Sequence, residues 1–105
     1  MACEVQWTAS ARVDVEAIVR HISVVLASPK AASAHLDDFL AAADSISTFP
    51  ESHAVSSYPA LAARQLRPFF VRNYVMLYSY DGEIAVVHRV FHTLQDYVRI
   101  IAREG

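Results

Sequence analysis

Apolar positions in the first half of the chain recur with a helical period. Val15, Ile18, Val19, Ile22 and Val25 fall at the i, i+3, i+4, i+7 spacing of one helical face. Thr8 or Ser10 offers a side-chain oxygen to the first free amides, and Asp14 and Glu16 complement the positive end of the helix dipole. The pattern predicts a helix over about residues 9–27. Ser28-Pro29 then ends one helix and starts another, because serine caps well and proline suits the first helical position. The second helix, 29–48, carries Ala32, Leu36, Phe39, Leu40, Ala43 and Ile46 on one stripe and stops at Phe49-Pro50. Two amphipathic helices with so tight a break form an antiparallel hairpin.

Elsewhere the period is two. Glu4-Val5-Gln6-Trp7 alternates polar and apolar and predicts a short strand. Residues 51–63 read as a serine- and alanine-rich loop, and 64–71 as a strand edged or interrupted by Pro68. Asn73 to Tyr80 and Glu83 to His92 flank Asp81-Gly82, the turn chemistry of a type I′ hairpin. Counting outward from that turn sets Tyr80 opposite Glu83, Tyr78 opposite Ala85, Met76 opposite Val87 and Tyr74 opposite Arg89. The other face carries Val75, Leu77 and Ser79 against His88, Val86 and Ile84, so both faces are largely apolar and this hairpin is central. Leu94 to Arg103 reads as a short helix or a terminal strand. The expected fold is α+β: a helix hairpin packed on a small twisted, mainly antiparallel sheet, in one domain spanning 1–105. Its core should hold Ile18, Ile22, Leu36, Phe39, Leu40 and Leu77.

Composition agrees with that size of core: 54% of residues are hydrophobic and only two are glycine, so neither disulfides nor a structural metal is needed. The single cysteine, Cys3, has no internal partner and reads as a small packed residue. No secretory pattern opens the chain and no apolar run reaches membrane-spanning length, which predicts a soluble cytoplasmic protein. A mean hydropathy of +0.25 is high for such a protein and implies apolar surface that a partner covers. Net charge is −2, but it is unevenly spread. Residues 1–63 hold three basic against seven acidic side chains. Residues 64–105 hold six arginines, Arg64, Arg67, Arg72, Arg89, Arg99 and Arg103, against four acids. An anionic partner should meet the C-terminal half.

Four stretches resemble, in order, the RelE/ParE toxin superfamily of type II toxin–antitoxin (plasmid stabilisation) systems. The opening Val5-Gln6-Trp7-Thr8-Ala9-Ser10-Ala11 is similar to the family's first strand and helix cap, and Phe49-Pro50-Glu51 to the end of its second helix. Val71-Arg72-Asn73-Tyr74-Val75-Met76-Leu77-Tyr78 resembles the central strand. Arg89-Val90-Phe91-His92 with Gln95-Asp96-Tyr97 resembles the closing motif. The resemblance implies a growth-inhibiting toxin neutralised by a cognate antitoxin, whose extended or helical tail is expected to lay apolar side chains into a groove beside the sheet. One branch consists of ribosome-dependent mRNA endoribonucleases and the other of proteins that poison DNA gyrase by binding it. A remnant that only binds antitoxin is the third reading.

Metal-free RNA cleavage needs a base, an acid and cations around the phosphate. His92, Tyr97 and Asp96 are the candidates for proton transfer, and Arg89 and Arg72 for charge. Imidazole is the side chain best matched to proton transfer near neutral pH, which puts His92 first. Each has a plainer alternative: His92 as a strand-end anchor, Tyr97 as packing for the last helix, Arg89 as a stacked or ion-paired residue beside Tyr74. In the ribonuclease branch a basic residue follows the first tyrosine of the central strand, and here that position is Val75. Valine cannot stabilise developing charge. Metal binding has little support, since His88 and His92 would stand about 13 Å apart on a strand. No phosphate-binding glycine loop exists, so no cofactor is expected. The oligomeric state is not legible.

Overall fold

The computed structural model describes residues 2–104. Strand β1 (Glu4–Trp7) leads into helix α1 (Ala9–Arg20), which widens into a π-helical turn at His21–Val25. Helix α2 (Pro29–Thr48) runs back, a short helix α3 (Pro59–Ala62) follows, and strands β2 (Arg67–Val71), β3 (Tyr74–Tyr80) and β4 (Ile84–His92) precede helix α4 (Tyr97–Glu104). The caps are the expected ones. Thr8 Oγ1 accepts from the Ala11 amide at 3.0 Å and also donates to the His88 carbonyl at 2.8 Å, tying α1 to β4. Ser28 Oγ accepts from the Ala31 amide at 3.3 Å, with Pro29 opening α2.

The four strands are ordered β1-β4-β3-β2. β2 and β4 flank β3 in antiparallel pairing, but β1 lies parallel to β4, so the sheet is mixed rather than wholly antiparallel. The helix hairpin and α3 carry the chain across the sheet from β1 at one edge to β2 at the other, which runs in the same direction, and β3 and β4 then fill the space between them. The β3–β4 register also differs from the count made outward from Asp81-Gly82. Tyr80 pairs with Ala85, because Gly82 and Glu83 form the two-residue loop and only Gly82 has positive φ (+99°). Asp81 Oδ1 accepts from the amides of Glu83 and Ile84, both at 2.8 Å, fixing the turn one residue later than expected. A bulge follows. Leu77 pairs with Arg89 while Tyr78 pairs with Val87, so His88 is the extra residue. Beyond it Tyr74 faces His92, not Arg89.

Two apolar layers result. On the hairpin side, Ala11, Phe39, Ala42 and Ile46 pack on Met76, Tyr78, Ala85, Val87 and Val90. On the other side, Leu61, Leu66 and Ile101 cover Val75, Leu77 and Phe91. The second layer depends on α3, within a stretch that reads as loop, and on α4, which settles the terminal segment as helix. The expected core is partly corrected. Phe39, Ile22 and Leu77 are buried and Ile18 half-buried, but Leu36 and Leu40 are 37% and 51% exposed. They sit next to the core stripe of α2, on the side facing away from the sheet.

Candidate functional site

The misplaced leucines open onto the first feature. Between α1 and α2 on the outer surface runs a groove of about 290 Å³, lined by Val15 on one side and Leu36 and Leu40 on the other, with Trp7 and Phe39 at its floor. Arg12 and Glu16 stand on its α1 rim. It continues into a wider hollow of about 860 Å³ that shares Val15, Glu16 and Leu36 and adds Val19, Val24 and Val25. At the hairpin tip Val24, Val25 and Leu26 are 71%, 67% and 60% exposed. Three successive aliphatic side chains in water do nothing for the fold, and a contiguous apolar surface of this kind marks a place where another molecule binds.

The second feature lies at the strand ends on the hairpin face. Tyr74 is edged by His35 at 5.9 Å, by His92 at 5.1 Å and by Phe39 at 5.7 Å between ring centroids. Burial holds the Tyr74 phenol above its ordinary value, so it stays neutral. His35 Nδ1 donates to the Ala31 carbonyl at 2.7 Å. His92 Nδ1 accepts from the Leu94 amide at 3.0 Å, and the His92 amide donates to Gln95 Oε1 at 2.9 Å. Both bonds turn the chain out of β4 towards α4. Arg72, in the β2–β3 turn with φ +53°, donates through Nε to Asp38 of α2.

The third feature lies at β4, where Arg89 bridges α1 and α4. Asp14 receives Arg89 through Nε at 2.8 Å and Nη2 at 3.0 Å, and the same carboxylate accepts from the Val90 amide at 2.9 Å. Arg89 also bonds Glu104, which Arg64 approaches at 3.6 Å, and its guanidinium lies 4.4 Å from the Phe91 ring centroid. The hydrogen bond to Asp14 raises Arg89 above its ordinary value, so its charge is permanent and already paired. Tyr97 stacks on Phe91 at 6.3 Å.

His88, the bulge residue, meets Ser79 Oγ through Nε2 at 2.8 Å. Burial pushes its imidazole below the ordinary value of 6.5, Arg64 adds to the effect and Glu104 opposes it. The folded chain therefore binds this proton less tightly than the unfolded chain. The stabilisation is complete above about pH 6.5 and shrinks as pH falls below it. The melting temperature should accordingly fall between about pH 6.5 and 5 in the parent, and His88→Gln should flatten that part of the profile. Parallel profiles for the two proteins would contradict this.

The candidate catalytic residues are thus not brought together. His92 lies against the hairpin face and Tyr97 against the α4 face, while Arg72 and Arg89 are held by different carboxylates, Asp38 of α2 and Asp14 of α1. Val75 is fully buried beneath the α4 layer. Asp96 accepts from the Arg99 amide at 3.3 Å and caps α4. Among the described residues no group of three or more His, Cys, Asp or Glu is placed to hold a metal ion, and no helix is long and apolar enough to cross a membrane. From sequence a groove is expected beside the sheet; this one lies between the helices of the hairpin, and its place was hidden because its leucines share the period of the core. The one available signal was the width of the apolar arc on α2. His35 and Asp38 were missed because nothing local marks them as neighbours of Tyr74 and Arg72.

Three comparisons bear on this arrangement. The sequence profile of the family described as "ParE toxin of type II toxin-antitoxin system, parDE" matches residues 5–97. No curated protein sequence matches. A solved structure titled "Chromosomal ParDE TA system from P. aeruginosa" is similar in fold, with a TM-score of 0.69 at 18% identity, covering 87% of this chain and 96% of that one.

Proposed function

The chain belongs to the ParE toxin family, and from that premise we propose that it arrests growth in the cytoplasm by binding DNA gyrase rather than by cutting RNA. It is the toxin of a type II toxin–antitoxin module, and its partner is a cognate antitoxin. One observation carries the choice of mechanism: His92 and Tyr97 are split between two faces of the sheet, and both arginines are already paired with carboxylates. A phosphate clamp built from Arg72 or Arg89 would first have to break a charge-assisted hydrogen bond to Asp38 or Asp14. Binding needs no such convergence. It needs exposed surface, and the hairpin groove and the outward face of α4 provide two.

The test is induced expression without the antitoxin, with plasmid supercoiling by purified gyrase and mRNA integrity read separately. The expected result is growth arrest, inhibited supercoiling and intact mRNA. Cleaved mRNA with normal supercoiling would favour the ribonuclease reading, with His92, Tyr97, Arg89 and Arg72 as its residues. Absence of growth arrest would leave the antitoxin-binding remnant.

A further inference from the structure

We propose that Ser79 and His88 form a nucleophile–base dyad at the turn end of the β3–β4 hairpin, and that Ser79 takes an acyl group from an uncharged activated ester or thioester. This activity is separate from growth arrest and uses none of the residues considered for RNA cleavage.

The bulge makes the pairing. Ser79 faces Val86, so in an unbroken ladder His88 would stand opposite Leu77. The extra residue releases it from that place, and its Nε2 meets Ser79 Oγ at 2.8 Å. The backbone at this point is pinned from the start of α1. The Thr8 amide donates to the Val87 carbonyl at 3.1 Å, and Thr8 Oγ1 donates to the His88 carbonyl at 2.8 Å. With the ring proton on Nδ1, the imidazole accepts from the serine hydroxyl through Nε2. A hydroxyl within hydrogen-bond reach of a fixed base is the arrangement that activates a weak nucleophile. Burial keeps this imidazole neutral at neutral pH, which is the form that takes a proton.

The surroundings decide what the serine meets. On this face α3 and α4 cover Val75, Leu77 and Phe91. Ser79, Ile84, Val86 and His88 lie outside that cluster and are only half-buried. Ile84 and Val86 belong to the same face because Ala85 and Val87 pack towards the hairpin. They offer an apolar floor for an acyl chain. Glu4 and Gln6 of β1 pair with Ile84 and Val86, and the charges of Glu104 and Arg64 both reach the imidazole. Arg64 stands 3.6 Å from Glu104, beyond hydrogen-bond length, so its guanidinium has donors to turn towards a carbonyl oxygen gaining charge. Two carboxylates around the dyad repel a phosphoryl donor, which leaves uncharged acyl compounds as the class that fits.

The step is an acyl transfer. Ser79 Oγ attacks the carbonyl carbon and its proton passes to His88 Nε2. The bond to the leaving oxygen or sulfur breaks, and that atom takes the proton from Nε2 and departs as an alcohol or thiol. Water activated by the same imidazole then returns the serine and a carboxylic acid.

The experiment treats the full-length protein with p-nitrophenyl acetate and maps acetylated positions over time by peptide mass spectrometry. Ser79 should be acetylated about a hundredfold or more faster than the exposed Ser57, the gain a positioned general base gives. A burst of nitrophenolate equal to the protein should accompany it and vanish in Ser79→Ala. His88→Gln keeps a side-chain partner for the serine and should slow the burst about a hundredfold or more. In the parent the rate should climb as the imidazole loses its proton and level off by about pH 7, a step that H88Q lacks. A hydrogen bond that merely joined two strands would alter melting and produce none of these labels. Acetylation of Ser79 no faster than that of Ser57 overturns the proposal, and this arm needs only the parent, so it decides even where a variant fails to fold. A burst retained in Ser79→Ala, or a parent-like rate in His88→Gln, overturns it as well.

Discussion

Phe39→Ala should destabilise the protein by about 3–5 kcal/mol, the range found when a large aromatic is truncated in a well-packed core. Phe39 is 1% exposed, packs in the hairpin-side layer and meets the Tyr74 ring edge-on at 5.7 Å. It is the side chain through which the middle of α2 rests on the sheet, and alanine there leaves a void no neighbour fills without moving a helix. Domains of this size hold only about 5–15 kcal/mol in total. At roughly 4–8 °C per kcal/mol, the melting temperature should fall by about 12 °C or more. Leu40, one residue on, supplies the contrast. It is half exposed, so Leu40→Ala should shift the melting point by only a few degrees while weakening partner binding. Calorimetry on both variants decides the matter. Equal destabilisation would mean that Leu40 belongs to the core after all.

That pair of neighbours also shows how much of the fold could be read from sequence. Capping residues are local, so the hairpin's helices were legible at Thr8, Ser28-Pro29 and Phe49-Pro50. Periodicity gives a direction around a helix but not what lies in that direction. On α2 one arc faces the sheet through Phe39, Ala42 and Ile46, and the adjoining arc of Leu36 and Leu40 faces outward. Both satisfy a 3.6-residue repeat. The β3–β4 hairpin was legible from its turn, yet shifting the two-residue loop by one position moved the pairing by two. No local signal announces the bulge at His88, and it is the bulge that turns Arg89 away from Tyr74 and towards Asp14 and Glu104. Asp14 and Arg89 are 75 residues apart, so their ion pair was invisible until the chain was folded. His92 and Tyr97 are close in sequence, but the chain leaves the sheet between them and their rings settle on opposite faces.

Pairing of the arginines leads to the second large effect, the response of toxicity to charge on α4. Arg64 and Arg89 meet Glu104, Arg89 also meets Asp14, Arg72 meets Asp38, and Arg67 donates through Nη1 to the His53 carbonyl at 2.6 Å. Arg99 and Arg103 remain. They are exposed, one turn apart on the outward face of α4, and have no ion-pair partner among the described residues. If the toxin works by binding, an acidic surface of its target meets this face. Arg99→Glu/Arg103→Glu then sets like charges against each other, a cost of several kcal/mol and hence roughly a hundredfold or more in affinity. Folding should be little changed, because neither side chain supports the core. His92→Ala should behave in the opposite way. Losing the bond from the Leu94 amide should cost about 1 kcal/mol of stability, while inhibition of supercoiling stays within a few-fold of the parent. A general acid or base contributes about a hundredfold to ten-thousandfold. A drop of that size at His92 with unchanged melting, alongside full toxicity of the arginine variant, would turn the assignment back to RNA cleavage.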